Sequence, residues 1–197
     1  NMPRIGYLSK TKEEFFKSLG DLMDLAKKSL VIKRKEVQKN MDQGLLPYSK
    51  RYLGNLKNHF STIGVVGMNE CCMNFVGKDI STQQGKEFAL EVLDFIRNKL
   101  AQFQEETDSI FNLEATPAEG TAYRLAKIDK KMNPDIITSG TCTPFYTNSS
   151  HLPVSHTSDI FEALEHQDEL QAKYTGGTVL HGFIGERMDD WKVVRDL

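Results

Sequence analysis

A carboxylate at Glu114 precedes a segment that combines hydroxyl, proline and glycine residues, with the sequence Thr-Pro-Ala-Glu-Gly-Thr over 116–121. Thr116 can accept from a backbone N–H as an N-cap, Pro117 suits the first helical position, and Glu119 can close a capping box. The first turn of such a helix has unpaired N–H groups and the positive end of the helix dipole, which together favour a phosphate. The pattern predicts an anion site at a helix start, although most capping boxes only cap.

The elements around this segment follow from hydrophobic periodicity. Helices are predicted from Thr11 to about Met41, from Asn69 to Phe75, from Thr82 to about Glu106, from Pro117 to about Lys131, and around Ile160 to Tyr174. Short apolar strands are predicted at 60–66 and 110–113, with strand-like patterns at 178–184 and, inside the loop 44–58, at 48–53. Strands separated by helices imply a parallel sheet, so the sequence predicts an α/β fold.

Bulk composition excludes several classes of protein. A chain of 197 residues with 39% hydrophobic content can bury a core and is expected to form one domain. The formal charge is −2 without a basic block, which argues against nucleic-acid binding. No apolar run approaches the roughly 18 residues of a membrane span, and the first residues do not form a signal peptide. Three cysteines, two of them adjacent, favour a reducing cytoplasm over a disulfide framework.

Seven stretches in one order resemble the anaerobic (class III) ribonucleoside triphosphate reductases, a glycyl-radical enzyme family. They are Asn1–Ile5, His59–Glu70, Phe103–Thr107, Phe111–Arg124, Tyr146–Ser149, Gln167–Gln171 and Tyr174–Thr178. The resemblance reaches to about Glu186. It implies part of a ten-stranded β/α barrel, in which the C-terminal ends of strands and the loops that follow build the active site. The residues at 69–70, 114–121 and 147–149 fall at or soon after predicted strand ends.

The resemblance also implies that residues 1–197 are a single partial barrel domain, truncated at both ends. The cysteine that carries the thiyl radical would lie upstream of Asn1. The zinc module and the glycyl-radical loop would lie downstream of Leu197. On this interpretation the chain alone is inactive and binds no metal. Cys71 and Cys72 are then packing residues, and neither Cys142 nor the scattered histidines have partners at metal-ligand spacing.

The implied reaction is reduction of the ribose 2′-carbon of a ribonucleoside triphosphate, which requires removal of the 3′-OH proton. Glu114 is the candidate carboxylate for that proton transfer. Members that use formate commonly carry a non-acid at this position, so a glutamate resembles members that use a dithiol protein. The alternative is that Glu114 is a strand-end residue facing solvent. Asn1 matches the asparagine of the family's Asn-Leu-Pro-Arg-Ile motif, which can hydrogen-bond the sugar hydroxyls.

The remaining predicted site residues are substrate-binding residues. Hydroxyls and backbone N–H groups for the phosphates are assigned to Thr116, Ala118, Glu119, Gly120 and Thr121, with Glu119 serving mainly in the capping box. Residues that line the pocket are Asn69, Glu70, Tyr146 and Asn148. The alternative for Glu70 is a carboxylate that interacts with the dipole at a helix N-terminus, and the alternative for Asn148 is a cap on a turn.

The resemblance implies partners and cofactors beyond this chain. The parent enzyme would need a glycyl radical, a zinc module, and an activase with S-adenosylmethionine and an iron–sulfur cluster. Its substrates would be ribonucleoside triphosphates, its effectors ATP or dNTPs, and its reductant a dithiol protein or formate. The parent enzyme is also expected to be a homodimer. Two alternatives remain at this point. One is another glycyl-radical enzyme, and the other is a non-catalytic nucleotide- or partner-binding domain derived from the same barrel.

Overall fold

Two parallel strands, covered on one face by helices, form the centre of the fold. The structure is a computed structural model, and it describes residues 1–180 and 187–196. The elements are α1 (Met2–Leu8), α2 (Lys12–Asp42), α3 (Pro47–Leu53), β1 (Ser61–Gly64), α4 (Met68–Phe75), α5 (Gln83–Thr107), β2 (Phe111–Glu114), α6 (Glu119–Met132), α7 (Ile160–Gln171) and α8 (Trp191–Asp196). The chain crosses from β1 to β2 through α4 and α5. This alternation confirms the α/β class, and within the described residues the named sheet has two strands, so the ten-stranded barrel stays a prediction.

The register of the sheet brings the ends of both strands together. Ser61 lies opposite Phe111, and Gly64 lies opposite Glu114. Beyond β1, a bridge between Val66 and Asn148 runs antiparallel. The C-terminal ends of β1 and β2 therefore share one edge, as parallel strands require.

The far side of β2 is covered by the chain around Gly176. The amides of Thr175 and Gly176 both donate to the Leu113 carbonyl, at 3.0 and 2.7 Å. A Cβ atom at Gly176 would lie 2.8 Å from Asn112 Nδ2 and 3.0 Å from the Leu113 carbonyl oxygen, so a larger residue here would require its neighbours to shift. The backbone of residues 175–176 therefore lies directly against β2.

The core lies between the sheet and the long helices. The apolar stripe of α5 includes Phe88, Val92, Ile96 and Phe103, and all four are buried. Phe103 meets Phe111 of β2 edge-on, with 5.7 Å between ring centroids. Thr82 and Thr11 cap α5 and α2 by accepting from the amides of residues 85 and 14. The periodicity that predicted these two helices is confirmed.

Several elements differ from the predictions. The helix α1 was not predicted, because seven residues are too few to show a 3.6-residue period. The segment Tyr48–Leu53 lies in α3 and not in a strand, since Pro47 starts a helical turn. Helix α6 begins at Glu119 and not at Pro117. Of the predicted strand 178–184, residues 178–180 have no regular structure and the remainder lies outside the described residues.

Within the described ranges, every helix is too short or too polar to cross a lipid bilayer.

Candidate active site

The side chain of Glu114 lies on the face of the sheet opposite to the helices. Phe111 and Leu113 are in the hydrophobic core, and alternate residues of a strand point to opposite faces. Asn112 and Glu114 therefore share the other face, where Glu114 is half-buried. The prediction that a carboxylate stands at a strand end agrees with this geometry, and its catalytic role stays a prediction.

Thr116 folds back over the end of β1. A Cβ atom at Gly64 would lie 1.8 Å from Thr116 Oγ1, 3.0 Å from Thr116 Cβ and 3.3 Å from the Glu114 carbonyl oxygen. The side chain of Thr116 thus occupies the space that any larger residue at position 64 would fill. Because Gly64 lies directly opposite Glu114 in the register, the Thr116 hydroxyl lies beside the end of both strands.

The predicted capping box is therefore wrong. The N-cap of α6 is Ala118, which makes no side-chain cap hydrogen bond. Ala118 has φ 48°, in the left-handed region, which costs an L-residue roughly 1–2 kcal/mol. Thr116 is unavailable as a cap because it packs against Gly64. A strained residue immediately before a helix start is typical of functional loops.

The first turn of α6 remains open to a ligand. Glu119, Gly120 and Thr121 are exposed, and a Cβ at Gly120 would meet nothing within 4 Å. The amides of such a turn have no partner inside the helix, and they lie at the positive end of its dipole. A phosphate can approach this turn without displacing protein, so phosphate binding by residues 118–121 stays a prediction that the exposure favours.

A buried carboxylate joins three distant segments at the start of α1. Asp129 of α6 is fully buried. It accepts from Asn1 Nδ2 at 2.8 Å, from Arg4 Nε at 2.6 Å and from Tyr146 Oη at 2.8 Å, and Arg4 Nη2 also pairs with it. Charge-assisted bonds of this kind are the strong ones in proteins. The cluster brings together the predicted site residues Asn1 and Tyr146.

Sequence reasoning missed Asp129, although a signal was present. Ala122, Ala126 and Asp129 follow the spacing of one helix face, and all three are buried. An acid in line with two alanines on the apolar stripe of a helix requires a partner.

The phenol of Tyr146 is held in its protonated form. Burial, followed by the hydrogen bond to Asp129 and the charges of Asp129 and Glu70, raises the pKa of Tyr146 above its ordinary value. Tyr146 is only 1% exposed, so it serves as a hydrogen-bond donor inside the cluster. Direct contact between Tyr146 and a ligand stays a prediction that this burial disfavours.

Glu70 is enclosed by protein donors. Its Oε1 accepts from Ser139 Oγ at 2.5 Å, from Asn69 Nδ2 at 3.2 Å and from Thr147 Oγ1, and its Oε2 accepts from the Thr147 amide at 2.9 Å. Asn69 Oδ1 in turn accepts from the Ile80 amide. Both Asn69 and Glu70 are buried. They anchor the loop at Thr147, and direct substrate contact by either stays a prediction that their burial disfavours.

Asn148 lies beside the chain that follows β1. It is half-buried and bridges Val66. Its carbonyl accepts from the amide of His151 at 3.0 Å, which closes a turn. The turn that the sequence left as an alternative is present, and a role for the Asn148 side chain in binding stays a prediction.

The adjacent thiols are packing residues, as predicted. Cys71 and Cys72 are both fully buried. A Cβ atom at Gly6 would lie 2.9 Å from the Cys71 carbonyl oxygen, so α1 packs closely on α4 at this point. In the part of the chain that the structure describes, no group of three His, Cys, Asp or Glu side chains is arranged to hold a metal ion.

Alkylation of the folded protein is expected to label Cys142, which is exposed, and to spare Cys71 and Cys72. Burial, with a smaller contribution from Glu70, raises the pKa of Cys72 to about 12. Burial likewise raises the pKa of Cys71, so neither thiol forms appreciable thiolate near neutral pH. Iodoacetamide treatment followed by peptide mass spectrometry, with and without denaturant, measures this. Equal labelling of the buried pair in both conditions would contradict the prediction.

A half-buried carboxylate at the end of parallel strands, followed by an open helix N-terminus, is typical of α/β enzymes that act on phosphorylated ligands. Comparison with known sequences gives the family. The model of the family described as "Anaerobic ribonucleoside-triphosphate reductase" matches residues 1–197, and the chain belongs to that family. This confirms the resemblance carried by the seven sequence stretches.

Individual relatives agree with this assignment. The anaerobic ribonucleoside-triphosphate reductase of Haemophilus influenzae is 25% identical over 100% of this chain and 30% of its own length. The anaerobic ribonucleoside-triphosphate reductase of Escherichia coli K12 is 23% identical, again over 100% of this chain and 30% of its own length. The anaerobic ribonucleotide reductase of Thermotoga maritima, solved in complex with dATP and CTP, superposes with a TM-score of 0.80 at 28% identity, over 95% of this chain and 32% of its own. The chain thus spans about 30% of the length of these curated relatives.

Proposed function

We propose that this chain is part of the catalytic barrel of an anaerobic ribonucleoside-triphosphate reductase. The complete protein would reduce ribonucleoside triphosphates to 2′-deoxyribonucleoside triphosphates for DNA synthesis. The main support is the shared edge of β1 and β2, where Glu114, Gly64 and Thr116 meet. Family membership over all 197 residues also supports the proposal.

In this proposal Glu114 accepts the 3′-OH proton of the ribose as the C2′–O bond breaks, and the departing 2′-OH takes up a proton and leaves as water. Overall, the dithiol reductant supplies two electrons and two hydrogens, one for C2′ and one for the water, and is oxidised to a disulfide. A carboxylate can transfer a proton when it lies within hydrogen-bond reach of the reacting hydroxyl. Glu114 is half-buried on the polar face of the sheet, so it retains access to a bound ligand. The radical that the family employs would supply hydrogen abstraction from the sugar, and it would reside on residues outside this chain.

The phosphates and the sugar would be held on either side of that carboxylate. Exposed amides of residues 119–121 would bind the triphosphate at the start of α6. Asn1 is half-buried, and its amide retains hydrogen-bonding capacity beyond its bonds to Asp129 and the Arg4 amide. A ribose hydroxyl both donates and accepts, which matches a side-chain amide.

We further propose the partners that the family implies. They are a radical-generating activase with S-adenosylmethionine and an iron–sulfur cluster, nucleotide effectors, and a second copy of the protein. The presence of an acid at position 114 favours a dithiol protein over formate as reductant. The Thermotoga maritima enzyme was solved in complex with dATP and CTP, which supports nucleoside triphosphates as ligands. A zinc module would lie outside this chain, and all three thiols here are free, which fits a reducing cytoplasm.

The test is anaerobic expression of the full-length protein together with its activase, followed by incubation with CTP and a dithiol reductant. Formation of dCTP that depends on the activase is the expected result. Binding of CTP without any dCTP would contradict the proposed function. That result would favour the non-catalytic nucleotide-binding alternative.

A further inference from the structure

The contacts around Asp129 constrain the side chain of Asn1. Asp129 Oδ2 lies 2.8 Å from Asn1 Nδ2, and residues 1 and 129 belong to separate elements. The other end of the amide, Asn1 Oδ1, faces the Arg4 amide at 3.5 Å. Arg4 compensates the charge of Asp129 from the opposite oxygen. Asp129 is fully buried, whereas Asn1 as a whole residue is half-buried, so a ligand can approach Asn1 but not the carboxylate of Asp129.

We propose that Asp129 is a positioning residue for substrate, because its carboxylate holds the Asn1 amide in one of its two orientations toward the ribose. This inference rests on the proposed function. A carboxylate only accepts, so it can face the Nδ2 side of the amide and not the Oδ1 side. Rotation of the Asn1 amide by 180° would bring Asn1 Oδ1 against Asp129 Oδ2, and two acceptors that face each other repel.

The fixed orientation leaves a defined pair of groups for a ligand. The Asn1 Nδ2 group has two N–H bonds, and one is used by Asp129. Its Oδ1 has two lone pairs, and one faces the Arg4 amide. One N–H donor on Nδ2 and one lone pair on Oδ1 remain. Because the amide cannot flip, the donor and the acceptor have fixed positions, and the sugar hydroxyls must match them. Small losses of alignment at a reacting centre cost about 100-fold in rate.

The other ligands of Asp129 make the arrangement rigid. Tyr146 Oη donates to the same oxygen as Asn1 Nδ2, at 2.8 Å. Arg4 pairs with the second oxygen through Nε and Nη2. Both oxygens are occupied on the protein side, so the carboxylate cannot rotate without breaking several bonds at once.

The experiment replaces Asp129 in the full-length, activated enzyme with asparagine, which has nearly the same shape. An asparagine can face either side of the Asn1 amide, so the orientation is lost. We expect kcat for CTP reduction to fall by about 10- to 100-fold, while CTP dissociation changes by no more than about threefold. The double variant Asp129→Asn with Asn1→Ala should lose no more kcat than Asn1→Ala alone, because residues that act through one another are not additive.

The controls separate positioning from folding. Asp94→Asn removes a half-exposed carboxylate that pairs with Lys173 at 2.7 Å, away from the Asp129 cluster, and it should leave kcat and CTP binding unchanged. If Asp129→Asn does not fold, Asp129→Glu retains the charge opposite Arg4 but moves the oxygen that faces Asn1 by about 1.5 Å. It should also lower kcat by more than about tenfold.

Two outcomes would overturn the inference. One is a folded Asp129 variant whose kcat lies within about twofold of wild type. The other is a double variant whose loss equals the product of the two single losses. If the wild-type enzyme makes dCTP and either of these outcomes is found for the variants, the role of Asp129 is contradicted and the proposed function is not. If the wild-type enzyme makes no dCTP, the proposed function is contradicted as well.

Discussion

Replacement of Glu114 by glutamine in the complete, activated enzyme is expected to lower turnover by about 100-fold or more, the usual scale for loss of general acid–base catalysis. Glutamine retains the shape and much of the hydrogen bonding but cannot accept the 3′-OH proton. Nucleotide binding should stay nearly intact, because the predicted phosphate contacts lie in the first turn of α6. The measurement is kcat for CTP reduction beside the dissociation constant of CTP.

A matched control is Glu91→Gln on α5, which removes the same charge from an exposed ion pair with Lys12 at 2.6 Å. Exposed pairs contribute about 0–1 kcal/mol to stability, so this variant should behave as wild type. Near-normal turnover of Glu114→Gln would eliminate the proton-transfer role. The alternative that Glu114 is only a solvent-facing strand end would then hold.

Replacement of Gly64 by alanine is expected to have the second large effect. The new Cβ would lie 1.8 Å from Thr116 Oγ1, so Thr116 must leave its place over β1. Overpacking of this kind costs about 1–3 kcal/mol of stability. The loop from Thr116 to Ala118 leads into the first turn of α6, so we also expect CTP affinity to fall by about tenfold or more. Denaturant unfolding and CTP titration of the full-length protein measure the two effects.

The same substitution at another glycine serves as the control for folding. At Gly120 a Cβ would meet nothing within 4 Å, and alanine in a helix is more stable than glycine by about 0.5–1 kcal/mol. Gly120→Ala should therefore not destabilise the protein. Adding Thr116→Ala to Gly64→Ala removes the hydroxyl and leaves 3.0 Å to the Thr116 Cβ, which should recover part of the stability. Equal stability of Gly64→Ala and wild type would contradict the packing argument.

Elements with long periodic patterns were predictable, whereas the two seven-residue helices α1 and α3 were not. In α5, 25 residues repeat one apolar stripe, and Thr82 marks its start. In α3, seven residues show no period, and residues 48–53, which include Tyr48 and Tyr52, were predicted as a strand inside a loop. Both tyrosines are 76% exposed in the structure. Aromatic residues raise strand propensity only where they pack against neighbours, so the local pattern was misleading here.

Some predicted site residues lie where their local sequence indicates, and others are placed by contacts with distant segments. The position of Glu114 at a strand end follows from a local apolar run, and the structure confirms that placement. The role of Thr116 as a cap also looked local, yet its hydroxyl lies against Gly64, fifty-two positions earlier in the sequence. Tertiary packing overrode the capping preference because a helix cap contributes only about 1 kcal/mol.

The order of helices and strands, the carboxylate at the end of β2 and the burial of the adjacent cysteines could all be predicted from the residues alone. These features depend on side-chain chemistry and on periods of a few residues, which are visible in any short window. The contact of Asp129 with Asn1 and that of Thr116 with Gly64 depend instead on the packing of the whole fold. Contacts between distant segments are set by how the helices and strands pack, and no local pattern specifies which partner a buried carboxylate will find.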